Sequence, residues 1–220
     1  MTTEKDKLVA YYAQRAASYD EIYQRPARQA DQASLFEQVA QLAKGHDVLE
    51  LACGTGYWTK TLATQANSVL ALDINQDMLQ MAQARQLPAE KVSFALADIY
   101  NLPASLNERK FSLCFAGFWW SHVKRSEQEA FIAQLKARVG ANCQLVLIDN
   151  SYVDGDSVPI ARTDAEGNTY QIRDHVDGGK TDIVKNFPSD SALRKRFANL
   201  GREIRITRLQ YFWLLSCRLK

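Results

Sequence analysis

The sequence predicts an α/β fold: a mostly parallel seven-stranded sheet with helices on both faces, the last strand inserted antiparallel. Three observations lead there. Short apolar runs alternate with segments of helical periodicity as far as residue 150, the pattern of a parallel sheet covered on both faces. The first apolar run leads directly into a glycine turn, Cys53-Gly54-Thr55-Gly56, and then a helix. The last third carries two strand signals around Asp177-Gly178-Gly179, a hairpin signature, and then two further apolar runs. The 220 residues are enough for one domain with a cap. We read 1–220 as that domain, with a helical cap over 1–43 and a hairpin cap over 151–188.

In order along the chain, residues 5–18 are expected to be helical, rich in alanine and tyrosine. A second helix covers about 28–43, with Leu35, Phe36, Val39, Leu42 and Ala43 on one face. Asp47–Leu51 is a short buried strand and Tyr57–Ala66 a helix. Ser68–Asp73 is a second strand ending in an acid; Asn75 then caps a helix to Arg85. Val92–Leu96 and Phe111–Ala116 are the third and fourth strands. Ser126-Glu127-Gln128-Glu129 reads as a capping box opening a helix that Gly140 closes, and Gln144–Asp149 as the fifth strand. Thr169–Val176 and Thr181–Phe187 form the hairpin. Ser189 caps a helix carrying Leu193, Phe197 and Leu200, closed by Gly201. Arg202–Arg208 and Gln210–Arg218 are the last strands.

Bulk properties exclude several function classes. A net charge of +2 sets up no strong field, so nucleic acid is not an expected partner. No apolar run approaches the roughly 18 residues of a membrane span, and residues 1–7 lack the apolar core of a secretory signal. The expectation is a cytoplasmic protein whose four scattered cysteines are reduced thiols. With three histidines and no Cys-x-x-Cys, no metal site is expected.

The glycine turn admits two kinds of ligand. A dinucleotide site wants Gly-x-Gly-x-x-Gly/Ala, but here Thr59 holds the third small position and bulky Trp58 sits in the first helical turn. Glu50, just before the turn, repels a pyrophosphate and suits a ligand carrying positive charge.

On Leu49-Glu50-Leu51-Ala52-Cys53-Gly54-Thr55-Gly56, on Asp73 ending the second strand, and on Ala97-Asp98-Ile99 after the third, the chain resembles the class I S-adenosylmethionine (SAM)-dependent methyltransferases along nearly its whole length. Ala52 stands where many members have a further glycine. The resemblance implies a Rossmann-like sheet and SAM as cofactor, with S-adenosylhomocysteine (SAH) as product. It implies that Gly54 and Gly56 pack against the methionine and ribose portion and that Glu50 attracts the ammonium. Asp73 then accepts from both ribose hydroxyls, Ile74 and Met78 sandwich the adenine, and Asp98 and the Ile99 N–H take its edge. Ala116 and Gly117 line the methionine portion, and Ala52 counts among the cofactor-binding residues. Tyr12, Arg15 and Tyr19 fall in a segment that closes over the cofactor, with Arg15 pairing its carboxylate.

Methyl transfer needs in-line alignment, which supplies roughly 7–11 kcal/mol, and a base only when the acceptor must lose a proton. A pocket at the ends of the fourth and fifth strands is the expected acceptor site, offering Trp119, Trp120, His122, Asn150 and Tyr152, with His175 reaching over from the hairpin. His122 is the candidate base. The expected reaction is methylation of an oxygen or nitrogen of a small molecule. A non-catalytic SAM-binding module and an NAD(P)-dependent oxidoreductase are the alternatives. No Asn/Asp-Pro-Pro-Tyr/Phe/Trp motif follows the fourth strand, which argues against the amino-methylases of DNA adenine and of glutamine.

Overall fold

Helices α1 (Glu4–Gln14) and α2 (Gln29–Ala43) precede five strands, β1 (Asp47–Leu51), β2 (Ser68–Asp73), β3 (Val92–Leu96), β4 (Leu113–Gly117) and β5 (Gln144–Asn150). Helices α3 (Tyr57–Ala63), α4 (Gln76–Gln83) and α5 (Gln128–Val139) connect strands of this set. The computed structural model describes residues 4–175 and 178–220. A second sheet holds β6 (Arg162–Thr163), β7 (Thr169–Asp174) and β8 (Lys180–Val184); α6 (Asp190–Phe197), β9 (Gly201–Arg208) and β10 (Phe212–Leu219) complete the chain.

The main sheet has the order β3-β2-β1-β4-β5-β10-β9, with β10 antiparallel to both its neighbours. The predicted seven-stranded sheet with its inserted last strand is therefore present. The chain moves outward from β1 through β2 to β3, then returns to place β4 on the other side of β1. At that switch the connections after β1 and β4 diverge, leaving a crevice beyond the strand ends.

Strand alternation sorts the core onto two faces. Leu49, Leu51, Leu145 and Trp213 pack with Ile132 of α5 and Leu193 and Phe197 of α6. Val48, Val69, Val146 and Leu214 pack with Leu35 of α2 and Trp58 and Leu62 of α3. All four cysteines are free and buried.

Four local readings are revised. The helix expected over 5–18 ends at Gln14, and a 3-10 segment covers Ala16–Gln24; Arg15 N–H donates to the Tyr12 carbonyl at 3.1 Å, the three-residue step of that tighter helix. The capping box at Ser126 does not form, because the Ser126 hydroxyl donates to Glu166 at 2.7 Å; Gly140 does close α5, at φ 82°. Gly201 opens β9 instead of closing α6. The hairpin gains a third strand, β6, and its Val176 and Asp177 lie outside the described residues. By contrast, Asn75 caps α4 as predicted, accepting from the N–H of Asp77 at 2.9 Å.

Gly201 is required for packing. A Cβ there would lie 2.8 Å from the Cys217 Sγ of the neighbouring strand. Gly201→Ala is expected to lower stability by about 1–3 kcal/mol through overpacking. In a double-mutant cycle read by denaturant unfolding, Cys217→Ala should recover part of that loss; strict additivity would refute the contact.

Candidate functional site

The crevice begins at the turn after β1. Ala52, Gly54 and Gly56 adopt φ of 51°, 56° and 73°, the left-handed region. Ala52 is the strained member, since a Cβ costs about 1–2 kcal/mol there. Gly56 is favoured for a second reason: a Cβ there would lie 3.0 Å from the Cβ of Ala82 on α4. One carboxylate organises the turn. Asp73, at the end of β2, accepts from the Gly54 N–H at 2.7 Å and the Asn75 N–H at 2.8 Å. Burial raises its pKa, and these backbone donors oppose the rise. Each oxygen keeps a further lone pair for a ligand.

A cavity opens over this turn. Ala52, Gly54, Asp73, Ile74, Met78, Asp98, Ile99 and Gly117 line it, as do Tyr12, Tyr19, Trp119 and His122. Lys5, Leu8, Val9, Asn75, Tyr100 and Phe118 also line it and were not anticipated. Lys5, Leu8, Val9 and Tyr12 come from α1, which roofs the cavity. The signal for this was the Leu8/Tyr12 step of four residues, which places both on one helix face. Lys5 forms an ion pair with Asp98, and its ammonium lies 5.7 Å from the centre of the Tyr100 ring. The Asn75 amide donates to the Val9 carbonyl at 3.3 Å, tying α1 to α4.

Glu50 is fully buried on the α3 side of β1 and lines a narrow cleft with Tyr19, Cys53 and Gly117. The Thr59 hydroxyl donates to its carboxylate at 2.6 Å. Burial pushes its pKa up to about 8, against that hydrogen bond. Gly56 and Ala116 line no part of the main cavity: Gly56 shapes the turn and Ala116 is packed in the core.

A second cavity lies on the other side of Tyr12, Tyr19 and Phe118, which belong to both. Phe118 is held at φ 58°, an unusual conformation for a bulky residue. Asn150 and Arg15 line this second cavity, so Arg15 faces away from the chamber where it was expected.

Four aromatic and histidine expectations are corrected or moved. Trp119 lines the first cavity, its ring 4.5 Å from Phe131, because the chain turns back under α5. Trp120 lines neither cavity; it is core, packed 5.3 Å from Phe197. Tyr152 is exposed at the surface against Phe187. His175 lines neither cavity; its Nδ1 is 3.1 Å from the Gln14 amide oxygen and its ring lies edge-on to Tyr11, so it contacts α1 from outside.

His122, the expected base, has both nitrogens engaged. Nδ1 lies 2.7 Å from the Val184 carbonyl, which can only accept, so Nδ1 carries the proton. Nε2 then accepts from the Tyr12 hydroxyl at 2.9 Å. Burial, reinforced by the Lys185 ammonium, pushes the imidazole down to about 3. The ring is a neutral clamp on the α1 roof and a weak base. Behind it, Lys185 donates to Asp149 at 3.0 Å and to Ser121 at 2.7 Å, all three buried. Asp149 also accepts from the N–H groups of Ser121 and Asn150. Burial works to raise Asp149, but Lys185 and these donors hold it below the usual carboxylate range.

Two measurements follow. Nitrogen-15 histidine spectra should show His122 neutral, with the proton on Nδ1, from pH 5 to 8; a midpoint near its ordinary 6.5 would overturn the clamp. For Glu50, the folded pKa exceeds the unfolded one, so the native state binds the extra proton between about 4.5 and 8 and stability falls as pH rises through that window. Glu50→Gln should therefore match the parent near pH 4.5 and exceed it progressively up to pH 8. Parallel pH dependences of the two melting curves would refute this.

Comparisons with known proteins agree with this geometry. A family model described as a methyltransferase domain matches residues 48–152. The DhpI–SAH complex is 30% identical, superposes with a TM-score of 0.76, and the match covers 96% of this chain and 94% of that one. The DhpI–SAM–HEP complex is 29% identical with a TM-score of 0.77, covering 96% and 95%. A curated malonyl-[acyl-carrier protein] O-methyltransferase from Hamiltonella defensa is 29% identical over 126 residues, 56% of this chain and 46% of its own length. A demethylmenaquinone methyltransferase from Lactiplantibacillus plantarum is 29% identical over 51% of this chain and 48% of that protein. The chain thus spans about half the length of the curated relatives it matches. With the acid–turn–acid constellation of Glu50, Gly54 and Asp73 assembled at the switch point of the sheet, the chain belongs to the class I SAM-dependent methyltransferases.

Proposed function

We propose that this protein transfers a methyl group from SAM to an oxygen or nitrogen of a small-molecule acceptor. The observation that carries the proposal is the meeting of two cavities at Tyr12, Tyr19 and Phe118: one is built over the glycine turn, the other lies beyond those residues and is lined by four arginines. A neighbour holding SAM and HEP together supports a two-ligand arrangement, and relatives named as O-methyltransferases favour oxygen.

The residues present fit SAM. Gly54 and Gly117 bring bare backbone to the cavity wall, Asp73 is held ready by two N–H groups, and Ile74 and Met78 offer an apolar slot. In this reading Asp73 takes the ribose hydroxyls, Ile74 and Met78 flank the adenine, and Asp98 and Ile99 meet its edge. Ala52 and Gly117 line the methionine portion, and Glu50 attracts the ammonium through its cleft; ionisation of Glu50 then accompanies binding. When bound, SAM supplies an electrophilic methyl on a sulfonium. Lys5 must leave Asp98 for the adenine edge to reach it, so α1 acts as the entry lid. Tyr12, Tyr19 and Phe118 exclude water from the junction and set the line of approach. Trp58 fills the α3 side of the core, 4.8 Å from Phe36, where a dinucleotide reading wants close backbone approach. A purely binding module gives no reason for the second cavity.

Calorimetry with SAH tests the donor half. The parent protein should bind, and Asp73→Ala should weaken binding at least 30-fold, since hydrogen bonds to a charged group contribute about 1.5–3 kcal/mol each. Equal binding by the variant would defeat the assignment.

A further inference from the structure

The second cavity is more positive than its acids balance. Arg15, Arg25, Arg28, Arg173 and Lys185 line it, against one lining carboxylate, Asp156. Lys185 is satisfied by Asp149 and Ser121 behind the wall. Arg25 and Arg28 share Asp156. Among the described residues, Arg15 and Arg173 have no carboxylate in ion-pair range: Arg15 donates to the Tyr11 hydroxyl at 2.5 Å and Arg173 to the Gln171 amide oxygen at 2.6 Å, both neutral groups. The Nε–H groups of Arg28 and Arg173 are buried without any hydrogen-bond partner. Buried unpaired donors are costly, so two of them on arginines that line the same cavity point to a ligand that completes them. A guanidinium is a planar fork suited to two oxygens of an oxyanion.

We propose that the acceptor is a small molecule bearing an oxyanion group (phosphonate, phosphate monoester or carboxylate), held by Arg28 and Arg173 with Arg15, and that one of the anion's own oxygens takes the methyl. The proposal rests on the methyl-transfer reading above. In the step, an oxygen lone pair forms the O–CH3 bond while the S–CH3 bond breaks and its electron pair stays on sulfur. The sulfonium becomes a neutral thioether, and the anion loses one negative charge as the ester forms. No proton moves, so no base is needed. That agrees with His122 and Asp149, whose acceptor atoms are committed to Tyr12 and to Lys185 and Ser121. Binding two oxygens to guanidinium groups leaves the remaining oxygen, or lone pair, to face the junction at Phe118.

The test is calorimetry in saturating SAH, with ethylphosphonate, ethyl phosphate and butyrate as probes and butanamide and 1-butanol as neutral counterparts. At least one anion should bind tenfold or more tightly than the neutral pair, and the ranking of the three anions identifies the headgroup. Arg173→Gln and Arg15→Gln should each weaken the anion at least tenfold while leaving the SAH affinity within twofold. With SAM in place of SAH, mass spectrometry should find the methyl ester of the tightest anion. Equal binding of anionic and neutral probes overturns the proposal, as does an Arg173→Gln protein that binds the anion like the parent. Failure of SAH itself to bind is a distinct result: it overturns the donor reading and this proposal with it.

Discussion

The carboxylate of Asp73 is the constraint on which the rest of the site depends. Its two oxygens accept backbone N–H groups from Gly54 and Asn75, the turn after β1 and the start of α4. A charge-assisted pair of this kind fixes two loops at once. It pins the middle of a turn in which three residues, Ala52, Gly54 and Gly56, are left-handed. It also places Ile74 and Met78 opposite that turn, so the floor and one wall of the first cavity follow from one side chain.

A second buried polar group fixes the roof. Asp149 and Lys185, with Ser121 between them, join the end of β5 to the end of β8. A buried ion pair is weak evidence for stability, since desolvation offsets most of its attraction. Its value here is positional. It sets the β8 carbonyl of Val184 against His122, and His122 then holds Tyr12 of α1. The hairpin, the turn after β4 and the N-terminal helix are thereby registered to one another around the junction of the two cavities. Asp20 extends the same roof to the glycine turn, accepting from Thr55 at 2.6 Å and pairing with Arg85.

The positions of Glu50, Gly54, Asp73, Asp98 and Ile99 were legible in the sequence because each lies near the end of a strand or in the turn that follows; the roles expected of them come from the family resemblance. The N-cap at Asn75 and the closure at Gly140 follow from single-residue rules in the same way. Adjacent side chains were harder to separate. Trp119 and Trp120 are neighbours in sequence, yet the 3-10 turn sends one to the cavity and the other into the core against Phe197. Ser126 reads as a cap, but Glu166, forty residues away, competes for its hydroxyl. Gly201 reads as a helix stop, and only the approach of Cys217 on β10 explains it.

The sequence by itself determined the succession of strands and helices, the nucleotide-type turn and the acids that surround it, because periodicity, capping and glycine freedom act within a few residues. The tertiary structure decided everything that depends on segments meeting across sixty or more positions. It alone seats α1 over the first cavity, neutralises His122 by burial beside Lys185, and gathers Arg15, Arg28 and Arg173 around the second cavity. Each of those facts is set by how the caps dock on the sheet, and docking is a sum of distant contacts that no local pattern encodes.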